Sequence, residues 1–334
     1  MKRTQFTRHA LWACIFIVSG AIMIPATAQA KPTVNQAFQH TGSSTKNYSQ
    51  TSKVPAQLES FSENIVRELS HQPAFASWAR ANINYYSLGP GTHGWFAAVM
   101  QNERQIGYMI ISASEDGGFI LSEYGDESSL PYSFDLLHNR LKQEHLMTAS
   151  TTIPKSLDIE VLYTPLLPVW RVTPKGQESI YIHAITAEIL PTAEVKINLS
   201  SMPLTSLNAK GVQSNNNNRF YLNDSSFASK GKGANHIYDP YNNMLWLTAP
   251  KLEIRTNSDF KAAMKDAQEN LVFLSPHHNA AYGAPFAISG LQSWSTTQGN
   301  EDTVYAATGA KGKRFVPLSL LVDRGEFRSP MVKP

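Results

Sequence analysis

Few residues in this chain have both the type and the spacing that catalysis needs. The histidines in the most suggestive settings are His93, in Gly89-Pro90-Gly91-Thr92-His93-Gly94-Trp95, and the adjacent pair His277-His278. His93 has the type of a general base. No nucleophile or orienting carboxylate is identifiable beside it, and a loop histidine bonded to backbone is the commoner arrangement. Adjacent loop histidines rarely point at one metal. The chain has no G-x-S-x-G nucleophile elbow, no H-E-x-x-H pair, no phosphate loop and no dinucleotide fingerprint. The acidic pairs Glu115-Asp116 and Asp126-Glu127 follow expected strands, where a glycosidase would place an acid and a base. Turns also collect acids because they are solvated there. Cys14 is the only cysteine and lies near the N-terminus. On these counts no catalytic residue, no metal ligand set and no cofactor is assigned.

The aromatic residues are the remaining chemistry. Tyr85, Tyr86 and Trp95, with His93 in the loop between them, form one group; Tyr238, Tyr241 and Trp246 form a second. Either set is a candidate lining for a peptide or glycan groove. Burial in a core is the commoner fate of such side chains.

The elements that must position these groups follow from periodicity. Leu58, Phe61, Ile65, Val66 and Leu69 form one helical face, ended by His71-Gln72-Pro73. A second short helix is expected over 75–82. Tyr86 to Gly94 is expected as a rigid lead-in to three antiparallel strands, Trp95–Met100, Ile106–Ser112 and Phe119–Tyr124. A helix after Ser133 carries Phe134, Leu137, Leu141 and Leu146. A second strand set follows, at 159–164, 169–173, 179–184 and 188–190. Residues 201–235 contain Asn215-Asn216-Asn217-Asn218 and read as a linker, apart from a short strand at Phe220-Tyr221-Leu222. Beyond it, Thr256-Asn257-Ser258-Asp259 marks a helix start. Strands are expected at 271–274, 286–294, 303–308 and 313–316, then a short helix from Pro317 to Gly325.

The N-terminus reads as a processing signal. Lys2, Arg3 and Arg8 precede the apolar run Ala10–Ile24, and Ala28-Gln29-Ala30 is a small-x-small cleavage site. The run is shorter than the roughly 20 residues needed to span a bilayer. Cleavage after Ala30 therefore leaves no stable membrane anchor, and the expected localisation is secreted, extracellular or at the cell envelope. It also removes Cys14, which excludes disulfides and cysteine nucleophiles from the mature chain. The full chain has 29 basic and 26 acidic residues. Losing the three basic residues of the signal balances the charge, which argues against a nucleic-acid partner.

Resemblance adds a direction. Pro168-Val169-Trp170-Arg171-Val172, Tyr181-Ile182-His183-Ala184 and Thr186-Ala187-Glu188-Ile189-Leu190 resemble strands of PepSY-type domains. In that pattern an aspartate is usual where His183 stands, and a glycine where Ala187 stands. Gly107-Tyr108-Met109-Ile110-Ile111-Ser112-Ala113 is similar to a strand in propeptides of secreted cysteine peptidases. D-P-Y-N-N-M-L-W-L-T, Y-G-A-P-F-A-I-S-G-L-Q-S-W and R-F-V-P-L-S-L-L-V-D-R-G-E-F resemble segments of secreted proteins from Gram-positive, spore-forming bacteria, a family to which no reaction is assigned. The two strand sets also suggest an internal duplication, with Trp95, Tyr108 and Ile120 matching Trp170, Tyr181 and Ile189.

The expected fold class is α+β. It comprises a signal peptide (1–30), a leader (31–55), a PepSY-like helix-plus-meander domain (56–200), the linker (201–235) and a small, mainly-β C-terminal domain with one helix (236–330). An SH3-like sheet is one candidate for that last domain. The leading expectation is a non-catalytic protein that binds a protein or peptide partner. An edge strand such as Trp95–Met100 would pair with the partner's extended chain. What the propeptide resemblance implies is inhibition or chaperoning of a secreted peptidase. Two alternatives stay open: a cell-wall or peptide hydrolase built on His277, His278 and Asp239, and a structural envelope or spore-associated protein.

Overall fold

The structure is a computed structural model. It describes residues 53–89, 94–114, 117–127, 130–148, 153–193, 195, 211–214, 220–227, 238–268, 270–276, 278–297, 302–309 and 314–330. The expected signal peptide, almost all of the leader, the Asn215–Asn218 run, His93 and His277 lie outside the described residues.

Helix α1 spans Ala56–Ser70 and buries Leu58, Phe61, Ile65, Val66 and Leu69, the face expected from their spacing. A 3-10 helix, Pro73–Arg80, replaces the second α-helix and buries Phe75 and Trp78. Strand β1, Asn82–Leu88, occupies what was expected to be a helix end and a lead-in. It pairs with β2 (Gly94–Gln101), which pairs with β3 (Arg104–Ala113), which pairs with β4 (Phe119–Asp126). The Trp95–Met100 stretch is therefore an interior strand, and β1 takes the edge. Every backbone group of β2 that a partner would need is already used by its two neighbours.

Helix α2, Phe134–Gln143, starts where Ser133 Oγ accepts the Leu136 N–H. It leads to a separate four-stranded meander, β5 (Leu157–Thr164), β6 (Leu167–Pro174), β7 (Ile180–His183) and β8 (Ile189–Leu190), in sequential order. Both segments thus run helix, then four antiparallel strands. In each, the central tyrosine turns away from the preceding helix: Tyr108 lies in a different cluster from α1, and Tyr181 in a different one from α2. The expected residue match does not hold, however. Tyr108 stands opposite Ala98 and Tyr181 opposite Arg171, so Ala97, not Trp95, takes the place of Trp170.

His183 ends β7, and Ala187 lies in the turn that follows it. Ala187 has φ 59°, a left-handed conformation that glycine adopts more readily. His183 Nδ1 accepts the N–H groups of Ile185 and Thr186, both at 3.2 Å, which is work a carboxylate also does.

Two stretches of the expected linker, 211–214 and 220–227, pair with the first sheet. Strand β9 (Val212–Gln213) pairs with β4, and β10 (Phe220–Phe227) runs eight residues. After a 3-10 turn, Leu245–Leu247, come β11 (Lys251–Leu252), α3 (Asn257–Asp266), β12 (Leu271–Leu274), α4 (Asn279–Tyr282) and β13 (Phe286–Thr296). Next are β14 (Thr303–Thr308), β15 (Arg314–Pro317), α5 (Leu318–Arg324) and β16 (Glu326–Arg328). Helix α3 starts in a full capping box: Thr256 Oγ1 accepts the Asp259 N–H at 3.1 Å, and Asp259 Oδ2 accepts the Thr256 N–H at 2.9 Å.

The C-terminal strands do not make a sheet of their own. The order is β1-β2-β3-β4-β15-β14-β13-β12-β16-β11, with β10 on β13 and β9 on β4. The backbone join is narrow: β4 and β15 share only the pairs Gly125–Arg314 and Tyr124–Phe315. Side chains reinforce it. The Tyr124 and Phe315 rings stack 4.8 Å apart, Tyr124 donates to Gln292, and Tyr305 donates to the Leu121 carbonyl. The 56–200 and 236–330 segments accordingly share a continuous sheet and a common core. The second sheet has one face on each: Trp170 and Ile182 pack with β2 and β3, whereas Val169 and Tyr181 pack with α3, α5 and β13.

Close approach at Gly107 sets one requirement. A Cβ there would stand 2.2 Å from Trp78 Cζ2 and 2.8 Å from the Gly125 carbonyl oxygen. Gly107→Ala is expected to cost about 1–3 kcal/mol by overpacking. The measurement is a urea midpoint that falls with an unchanged m value.

Candidate functional site

The densest polar cluster is closed to solvent. Glu123 on β4 and Arg314 on β15 are both buried, and Arg314 Nε and Nη2 donate to Glu123 Oε1 and Oε2, each at 2.8 Å. Tyr108 Oη donates to Glu123 Oε1 at 2.7 Å and Tyr163 Oη to Oε2 at 3.2 Å. Arg314 Nη2 also donates to the Leu166 carbonyl at 3.2 Å, which ties the pair to the β5–β6 turn. Burial is the largest influence and works against the Arg314 charge, but the charge and hydrogen bonds of Glu123, together with Tyr108 and Tyr163, outweigh it and hold the guanidinium more firmly protonated. Burial first, then the Glu123 charge, pushes the Tyr108 and Tyr163 phenols well up. These groups have no exposed face for a substrate, so the cluster does structural work.

His183 belongs to the same neighbourhood. Burial, with the Arg314 charge adding to it, lowers its pKa to about 3. Its Nδ1 accepts two N–H groups, so Nε2 carries the proton, and that buried donor has no partner among the described residues.

The aromatic groups chosen from sequence are dispersed. Tyr85 faces α1, and its hydroxyl meets Ser62 Oγ at 2.5 Å. Tyr86, one residue on, faces the opposite core beside Phe96. Trp95 is half-buried on the α1 side, edge-on to Phe119 at 5.6 Å. Trp246 is buried against Val272 and Leu274, and its Nε1 donates to the Pro240 carbonyl at 2.8 Å. Tyr238 closes the same loop by donating to the Asn243 carbonyl. Tyr241 stands 66% exposed, near Met244, Leu245 and Leu247, which are also exposed. The hydrolase constellation has no geometry to support it among the described residues. The Asp239 carboxylate holds its own turn, accepting from the Tyr241 N–H and the Asn242 amide. Among the described residues no group of three or more His, Cys, Asp or Glu could hold a metal, and no helix is long and apolar enough to cross a membrane.

One open feature among the described residues is a groove of about 540 Å³ between α1 and the sheet edge. Its helix wall is Glu59, Glu63, Val66 and Arg67; its floor is Trp78 and Ala81; its far wall is Asn82, Ile83 and Tyr85 of β1. Beyond β1 no further strand pairs among the described residues. Burial pushes the Tyr85 phenol up, the Ser62 bond opposes this, and the charges of Glu59 and Glu63 raise it further. From the sequence only the apolar face of α1 was identified, and Glu59 and Glu63, which line the groove together with Arg67, were not singled out. The alternation Ile83, Tyr85 in N-I-N-Y-Y-S-L was the available signal for the edge strand.

No protein-family model, no curated protein and no solved structure matches this chain.

Removing one partner of the buried pair leaves an uncompensated charge, so Arg314→Met is expected to cost about 3–5 kcal/mol. Adding Glu123→Gln should recover part of that loss. Both changes are followed by chemical denaturation.

His183 makes the stability of the fold depend on pH. The unfolded imidazole binds a proton near pH 6.5, whereas the folded one stays neutral down to about 3. The unfolded state therefore holds more protons between these values, and stability falls as pH drops through the window. Thermal unfolding of His183→Gln, compared with the parent from pH 7 to 3, should show a shallower decline.

Proposed function

We propose that this protein is a secreted, non-catalytic binding protein that takes an extended segment of a protein partner along the outer edge of β1. The observation that carries this reading is an end strand facing an open groove, with α1 forming the opposite wall. An unpaired strand edge offers N–H and C=O groups at a strand's spacing, so main-chain bonds supply affinity and the groove supplies selectivity. The β2 edge first expected for this role is replaced by β1, which lies next to it in the sheet. The PepSY and propeptide resemblances give the partner its sharper form, a secreted peptidase that the protein inhibits or chaperones outside the membrane. The helix-plus-meander order of both segments is consistent with a duplicated PepSY-like arrangement.

Partners captured from culture medium by the full chain should bind at least tenfold more weakly to Ile83→Arg, which puts a bulky charge into the groove. Captured peptidases should show altered proteolysis in the presence of the parent protein. Capture that is indifferent to Ile83→Arg overturns the β1 site. Finding neither a bound peptidase nor changed proteolysis overturns the peptidase reading.

A further inference from the structure

We propose that the β1 groove selects extended peptides that carry lysine or arginine at alternate positions, with Glu59 and Glu63 receiving the basic side chains; this rests on the β1-edge reading above. A strand added to β1 would lie about 4.8 Å beyond it and send every second side chain toward the helix side of the sheet. The wall it meets there is α1. Glu59 and Glu63 are four residues apart, on one exposed stripe of that helix, and both line the groove.

Two like charges at this spacing destabilise a helix unless a cation relieves them. Among the described residues, no cation is paired with either. Arg67 is the natural candidate, four residues after Glu63. Its Nη2 instead donates to Asn64 Oδ1 at 2.6 Å, and its Nε stands 3.9 Å from Glu68. The negative charge thus remains available at the groove, and both carboxylates act on Tyr85 across it. The complement is a flexible cationic side chain on the strand that fills the gap. A hydrophobic side chain at the intervening positions would turn to the other face. The stem of a lysine or arginine can cover Val66 and Ile83 while its charged end reaches the carboxylates.

The test uses the full chain and three blocked octapeptides in which valine alternates with lysine, glutamine or glutamate. Affinities are measured by isothermal titration, and amide protection of Ile83–Tyr85 by hydrogen exchange. The lysine peptide is expected to bind at least tenfold more tightly than the glutamine peptide and to protect the β1 amides. The glutamate peptide should be weaker still. In the Glu59→Gln/Glu63→Gln variant, whose changes are on the exposed helix side, the lysine preference should fall below twofold while protection of β1 persists. Equal affinity for lysine and glutamine peptides, with β1 protected, overturns the basic selectivity and leaves edge docking standing. Absence of β1 protection by any of the three overturns edge docking, and the selectivity with it.

Discussion

The ion pair between Glu123 and Arg314 stands at a narrow join within the large sheet. Only two backbone pairs join β4 to β15, and the pair lies beside them on the face that meets the second sheet. A buried salt bridge is weak evidence of net stability, because desolvation offsets much of the Coulomb gain. Its value here is geometric. A one-residue slip of β15 would carry Arg314 to the other face and leave Glu123 with two tyrosines and no cation. The bidentate contact therefore selects one register at the place where few backbone bonds define it. Through Leu166 and Tyr163 the same pair also locates the second sheet.

The other face of the join is held by a different kind of contact. Tyr124, Tyr305, Phe315 and Trp294 meet edge-on or stacked, with ring centroids 4.8–6.2 Å apart. Their polar ends are used within the core: Trp294 Nε1 donates to Tyr124, and Tyr305 accepts the Val212 N–H. That last bond fastens β9, part of the segment expected to be a linker. One side of the sheet is thus fixed by charge and the other by aromatic packing. With the central join so committed, β1 ends the strand order among the described residues, beside the helix wall that carries Glu59 and Glu63.

Local periodicity made much of the secondary structure legible. The buried stripe of α1, the Thr256–Asp259 capping box and the strands β12 and β14 all follow from side-chain spacing or short-range hydrogen bonding. The α+β class follows from the same signals. Strand β1 was misread because Trp78 and Ala79 continue an apolar pattern into it, and short runs do not separate a 3-10 turn from a strand. The linker was misread because composition describes average solvation. Val212 and Phe220 are enough to anchor β9 and β10 once a sheet is present to receive them.

By itself the sequence determined the local elements, the balanced charge of the chain after its first thirty residues and the absence of familiar catalytic motifs. Each of these depends on residue identity or on neighbours within a few positions. Only the tertiary structure decided that β4 joins β15, that Tyr85 and Tyr86 face different cores, and that β1 rather than β2 is the edge. Strand order and the pairing of Glu123 with Arg314 depend on contacts across 191 positions, and no local period encodes which distant strand a residue will meet.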